Sequence, residues 1–178
     1  MNYRIRCSEI SDTEILGQVH ARASHETYTD VVPADALAKM GSVEWRSGIR
    51  RGMFERSTPD WGHFLVESAA REVMGFGDCG PAYKPDITLF APLEIYTLYL
   101  LRAAQGHGLG GALLKHMLAH AASRGFEKAA LSVLANNESA LGFYRHMGGT
   151  EVSRSDSDLT GTKLPTAIYL WTGLKKPT

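Results

Sequence analysis

The sequence predicts an α/β domain with a mixed, mostly antiparallel sheet flanked by helices, and three observations predict it. A chain of 178 residues, 44% hydrophobic and 21% charged, has the size and composition of one globular domain with one filled core. Residues 93–134 read as strand, glycine turn, helix and strand, which is a right-handed parallel crossover. Short strands joined by tight turns stand at both ends of the chain, so the rest of the sheet is antiparallel.

The elements follow in order. YRIRC alternates as a short strand, and Ser11 or Asp12 can cap a helix through EILGQVHARAS, with Ile15, Leu16 and Val19 at core-facing spacing. Pro33 suits the start of a helix over ADALAKM. VEWRSGIRRGMFER continues as a basic amphipathic helix with Trp45, Ile49 and Phe54 on its apolar face and its arginines on a solvated one. HFLVES and EVMGFGDCG form a hairpin in which Gly75 and Gly77 weaken the second strand or mark a bulge. CGPAYKPD at 79–86 and SRSDSDLTGTKLP at 153–165 read as loops.

LEIYTLYLL at 93–101 lacks clean alternation, the pattern of a strand covered on both faces. A helix of about four turns follows from Leu109 to Arg124, stopped by Gly125. AALSVL at 129–134 is the next strand. Asn136 or Asn137 caps a helix carrying Ala140, Phe143, Tyr144 and Met147, ended by Gly148 and Gly149. TEVSRS and AIYLWTGL close the chain as an antiparallel pair.

Charge and composition exclude several functions. Lys plus Arg equals Asp plus Glu, so no overall field draws the chain to nucleic acid or an anionic membrane. No stretch approaches the roughly 18 apolar residues of a membrane span, and the N-terminus lacks the apolar region of a signal peptide. Cys7 and Cys79 show no ligand spacing, which supports neither a metal site nor a disulfide framework and fits a reducing cytosol. A cytoplasmic protein with a small-molecule partner is expected. His116 and His120 stand four apart, a spacing that alone is weak evidence for a metal.

The stretch QGHGLGGAL at 105–113 places four glycines at the start of a helix, where free N–H groups and the helix dipole make an anion site. A nucleoside-triphosphate loop requires Lys and Ser or Thr where the chain has Ala112 and Leu113. The dinucleotide pattern is spelled by Gly106, Gly108 and Gly111, but the next strand ends LANN with no acidic residue for a ribose.

QGHGLG at 105–110 also resembles the Q/R-x-x-G-x-G/A motif of the GCN5-related N-acetyltransferase superfamily. EIYTLYL before it resembles the family's central strand, and NNESALGFYRHMG after it resembles the N-x-x-A-x-x-F/L-Y-x-x-x-G signature at Asn137, Ala140, Phe143, Tyr144 and Gly148. These blocks span about residues 93–149, and two departures are local: Gly149 stands where the family often has Phe, and Arg102-Ala103-Ala104 replaces a Pro-containing approach.

The resemblance implies one N-acetyltransferase domain over 1–178, with about six to seven strands and a splayed central parallel pair. It implies acetyl-CoA as cosubstrate and no metal. The pyrophosphate would lie on the main chain of Gln105, Gly106, His107, Gly108, Leu109, Gly110 and Gly111, and the pantetheine arm would pair with the backbone at Leu98 and Leu100. Asn137 is a further cofactor contact, besides its reading as a helix cap. Tyr144 would give a proton to the leaving thiolate and Glu94 would take one from the acceptor amine. A backbone N–H near Leu98 to Leu100 would face the thioester oxygen.

The expected acceptor is a small-molecule primary amine, with Tyr28 and Trp45 as candidate wall residues beside the 79–92 loop. A regulatory module that binds acetyl-CoA without transfer is the alternative from another class. Oligomeric state cannot be read from the chain, although a homodimer is common in the proteins it resembles and among oligomers generally.

Overall fold

The computed structural model describes residues 3–29, 31–159 and 162–175. Strand β1 (Tyr3–Cys7) leads to helices α1 (Thr13–Tyr28), α2 (Ala34–Met40) and α3 (Val43–Glu55). Strands β2 (Gly62–Ser68) and β3 (Val73–Pro81) follow, then the single turn α4 (Pro85–Thr88) and strand β4 (Leu93–Leu100). Helix α5 (Leu109–Ser123), strand β5 (Lys128–Leu134), helix α6 (Glu138–His146) and strands β6 (Thr150–Leu159) and β7 (Thr162–Thr172) complete it. The seven strands form one sheet in the order β1-β2-β3-β4-β5-β7-β6, antiparallel except between β4 and β5.

Two apolar layers cover the sheet. On one face Leu93, Ile95, Leu131 and Tyr169 pack against Leu113, Leu114 and Met117 of α5 and Leu141 and Tyr144 of α6. On the other, Leu65 and Phe76 meet Leu16, Val19 and Ala23 of α1. The two-sided cover predicted for 93–101 is therefore present, and the missing alternation has a cause. Asp78 pairs with Thr97 but Cys79 pairs with Ile95, so Tyr96 is an extra residue bulged out of the ladder. Leu93 and Ile95 face α5, whereas Thr97 hydrogen-bonds Asp78 on the α3 side.

The structure corrects several sequence expectations. The α1 N-cap is Asp12, but its side chain makes no cap hydrogen bond, because Arg6 grips both carboxylate oxygens at 2.8 Å. The supposed loops hold regular structure: Cys79–Pro81 belong to β3, residues 85–88 form α4, and 153–159 with 162–165 form the long β6–β7 hairpin. Helix α3 is rotated from its expected face, although Phe54 packs against the Leu65–Phe76 layer as expected. Its buried residues are Arg46 and Arg50, while Ile49 is exposed, since each arginine has polar partners inside.

Gly75 does stand beside a bulge, since Val66 pairs with Gly75 but Glu67 pairs with Val73 and Met74 is left as an extra residue, and both glycines also permit close packing. A Cβ on Gly75 would strike the Tyr99 carbonyl and the Leu100 side chain, and one on Gly77 would lie 2.5 Å from the Met117 sulfur. Gly75→Ala is expected to cost about 1–3 kcal/mol through overpacking, read as a lower urea midpoint with an unchanged slope.

Candidate active site

The parallel pair β4–β5 holds together for only two residue pairs, Leu93 with Ala129 and Glu94 with Ala130. Beyond Glu94 the strands diverge, so the edge of β4 from Ile95 onward and that of β5 from Leu131 onward face each other without a ladder. A cleft of about 1560 Å³ occupies this notch, walled by both strands, the first turn of α5 and the cavity-facing side of α6.

The glycines at its mouth divide into two pairs. Gly106 and Gly108 both adopt φ of +76°, a left-handed conformation that only glycine takes cheaply, and Gly108 is the N-cap of α5. Gly110 and Gly111 lie in the first helical turn, where a Cβ would press on Phe143 at 3.4 Å and on the Met147 sulfur at 3.2 Å. They let α5 approach α6. The first helical bond runs from the Ala112 N–H to the Gly108 carbonyl, 3.0 Å, leaving the N–H groups of Leu109, Gly110 and Gly111 outside the helical ladder. The Gln105 side chain donates to the Leu100 carbonyl at 3.0 Å, and His107 Nδ1 contacts the Gln105 carbonyl at 2.7 Å. Those side chains shape the turn, and the free main chain makes it an anion cradle.

Leu98, Leu100, Gln105, Gly106, Gly108, Leu109, Gly110, Gly111, Asn137, Tyr144 and Tyr28 all line the cleft. Asn137 is an N-cap in fact, accepting the Ala140 N–H at 3.2 Å, and still lines the cavity. Tyr144 is 8% exposed and held by the rings of Phe143, Tyr169 and Trp171. Its hydroxyl makes no hydrogen bond among the described residues. Burial, with a smaller contribution from Tyr99, pushes its pKa well up, so the phenol keeps its proton at neutral pH.

The Tyr28 and Tyr99 hydroxyls meet at 3.1 Å on the helical side of the cleft. Burial first, then Tyr99, raises the Tyr28 pKa well above its ordinary value. Trp45 does not join them: it packs between Lys39 and Arg46 and does not line the cleft. Nor does His107 line it.

Glu94 is fully buried at the closed end of the notch, where it forms the last β4–β5 pair with Ala130. Its counter-ion is Lys84, whose Nζ stands 2.8 Å from Oε1, yet neither carboxylate oxygen accepts a well-aligned hydrogen bond among the described residues. Glu94 does not itself line the cleft, whereas Lys84 and Tyr96 do. The Tyr96 hydroxyl donates to the Pro81 carbonyl at 2.5 Å, and its ring packs on Trp61 and Tyr83.

A polar network unforeseen in the sequence lies beneath the bulge. Asp78, 1% exposed, is bound by Arg50 at 3.0 Å, by His63 Nδ1 at 2.8 Å and by the Thr97 hydroxyl, and His63 Nε2 reaches Ser57 Oγ at 2.9 Å. Burial alone would raise the Asp78 pKa; Arg50, His63 and Thr97 together hold it well below the usual carboxylate range. With the Nδ1 proton on the carboxylate side, Nε2 accepts from Ser57. One signal was legible beforehand: a lone acid in the strand MGFGDCG has to find partners inside. Lys84, Tyr96 and Tyr99 carried no such signal, since their place at the cleft depends on the bulge and the α4 turn.

A mixed seven-stranded sheet with one splayed parallel pair, and a glycine-lined anion cradle at the open end of the splay, define an acyl-CoA-type N-acyltransferase fold. Comparison with known proteins gives the family. The family model described as "Acetyltransferase (GNAT) family" matches residues 25–148, more than half of the chain, and the chain belongs to that family as an acyltransferase of the acetyl-CoA-dependent class. The uncharacterized N-acetyltransferase YuaI of Bacillus subtilis (strain 168) is 24% identical over 174 residues, covering 96% of this chain and 93% of YuaI.

Among solved structures, the PaiA N-acetyltransferase of Thermoplasma acidophilum in complex with coenzyme A superposes with a TM-score of 0.75 at 20% identity, covering 97% of this chain and 99% of that one. YncA of Salmonella typhimurium with its cofactor acetyl-CoA gives 0.71 at 16% identity over 100% of this chain and 97% of that one. At these identities the two structures speak for the fold. Among the described residues, no group of three or more His, Cys, Asp or Glu could hold a metal ion, and no helix is long and apolar enough to cross a membrane.

Proposed function

We propose that this protein transfers an acetyl group from acetyl-CoA to the primary amine of a small molecule, by direct attack with both substrates bound. The observation that carries the reading is the notch itself: two strand edges without ladder partners, ending at free N–H groups on the α5 N-terminus. Unpaired backbone amides and carbonyls are costly unless a ligand or water satisfies them. A flexible chain bearing two amides and a pyrophosphate matches that row of groups.

In this reading Gly106 to Gly111 hold the pyrophosphate and the β4 main chain at Leu98 and Leu100 holds the pantetheine amides, with Asn137 as a further contact. The bound cosubstrate supplies an activated thioester. Everything else falls to the chain. Tyr144 keeps its phenolic proton and gives it to the departing sulfur. Glu94 takes the proton that the acceptor ammonium must lose before it can attack. Because Glu94 lies behind the wall, the proton reaches it through an ordered water. Tyr28 and Tyr99 form one side of the acceptor space, and Ser155, Asp156 and Ser157 of the β6–β7 hairpin form another.

The test is CoA release from acetyl-CoA over a panel of small amines, amino acids and antibiotics near pH 8. At least one acceptor should raise the rate and gain an acetyl group. Glu94→Gln should lower kcat about 100-fold, the size expected for loss of a general base, with the KM for acetyl-CoA within about twofold. Tight acetyl-CoA binding with no amine-dependent release would show a binding module instead.

A further inference from the structure

Lys84 carries chemistry that the acceptor reading does not use. It lines the same cleft as Tyr96, Thr97 and Leu98, and its Nζ stands 2.8 Å from Glu94, the group to which the proposed function gives the acceptor's proton. It reaches that place because Pro85 and α4 fold the β3–β4 connection back over the closed end of the notch. An alkylammonium beside the base, inside the cavity, is the arrangement a small amine acceptor has to achieve.

We propose that Lys84 is an acetyl acceptor of this protein's own reaction, so that with acetyl-CoA and no free amine the chain acetylates itself at Lys84 Nζ. The inference rests on the acetyl-transfer reading of the cleft. The Lys84 ammonium gives one proton to Glu94, which passes it to solvent. The neutral nitrogen forms a bond to the acetyl carbonyl carbon, and the carbon–sulfur bond breaks. The second proton lost from nitrogen replaces the one that Tyr144 delivers to the CoA sulfur. The products are Nζ-acetyl-lysine, CoA and one released proton, with no oxidant or reductant involved.

The immediate surroundings make the step slow but local. Burial lowers the Lys84 pKa, but Glu94, with smaller contributions from Tyr83 and Asp86, outweighs it and keeps the ammonium above its usual range. Proton transfer to Glu94 therefore precedes attack. Acetylation also has a consequence: it removes the charge that neutralises Glu94 and leaves a fully buried carboxylate without a counter-ion. A copy modified in this way has a changed acceptor pocket.

Mass spectrometry of the full chain, incubated with acetyl-CoA and no added amine, tests this directly. The expected result is one addition of about 42 Da, the mass of an acetyl group on lysine, mapped by peptide analysis to Lys84. Its rate should be independent of protein concentration and, through proximity, at least about tenfold faster than at the exposed Lys39 and Lys128. Lys84→Arg should abolish the addition, and Glu94→Gln should slow it. Modification of Lys84 no faster than of Lys39, or an unchanged rate in Glu94→Gln, overturns the inference. Amine-dependent CoA release is measured on the same sample. Acceptor turnover with Lys84 untouched sinks the self-acetylation alone, whereas absence of both sinks the acetyl-transfer reading as well.

Discussion

Tyr144→Phe is expected to lower kcat about 100-fold or more, within the range for loss of a positioned general acid, while the KM for acetyl-CoA stays within about twofold. The ring is held by Phe143, Tyr169 and Trp171, and none of those contacts uses the hydroxyl. Removing one oxygen therefore leaves packing and cleft intact. Equal loss in kcat and kcat/KM marks an interaction made only as the thiolate departs. The defect should shrink for acetyl donors whose leaving thiol is more acidic than CoA, because such a thiolate needs no proton. An unchanged rate in Tyr144→Phe would remove the hydroxyl from this role and return Tyr144 to the core stripe it also belongs to.

Asp78→Ala is the substitution with the largest expected effect on stability. It strips the partner from Arg50, 2% exposed on α3, and leaves His63 and the Thr97 hydroxyl without their shared acceptor. Breaking one side of a buried ion pair costs roughly 3–5 kcal/mol, which for a chain of this length lowers the melting temperature by on the order of 10 °C. Asp78→Asn separates charge from shape. Since the folded-state pKa of Asp78 is depressed, its stabilising contribution is fully present above the unfolded aspartate value of about 3.9, and it fades as pH falls through the folded value. The stability gap between wild type and Asp78→Asn should thus be constant near neutral pH and narrow below about pH 4. A gap that persists unchanged into acid would mean that the carboxylate charge contributes nothing.

The parts of this molecule that a sequence shows best are those set by local periodicity and glycine placement. The turn at Gly106 and Gly108, the run of α5 to Gly125 and the cap at Asn137 all follow from backbone rules that hold within a few residues. The acidic residue inside β4 was visible for the same reason. What the sequence concealed depends on contacts far apart along the chain. Arg46 and Arg50 look like a solvated face until Met40, Ser24 and Asp78 are placed around them. Gly75 and Gly77 look like weak points in a strand until Leu100 and Met117 press on them. The bulge at Tyr96 comes from a register shift against β3, and no local pattern signals it. The stretch 153–165 of the terminal hairpin reads as loop because its edge strand is rich in Ser and Asp and draws its order from pairing with β7.

Titration of isotope-labelled protein with acetyl-CoA, followed through backbone amide chemical shifts, tests the central claim most directly. The largest changes should fall on the two diverging strand edges and on the α5 N-terminus, at Leu98, Leu100 and Gly106 to Gly111, with Gly108→Val weakening binding at those same signals. Saturable binding that leaves those amides unmoved and shifts residues elsewhere would contradict it.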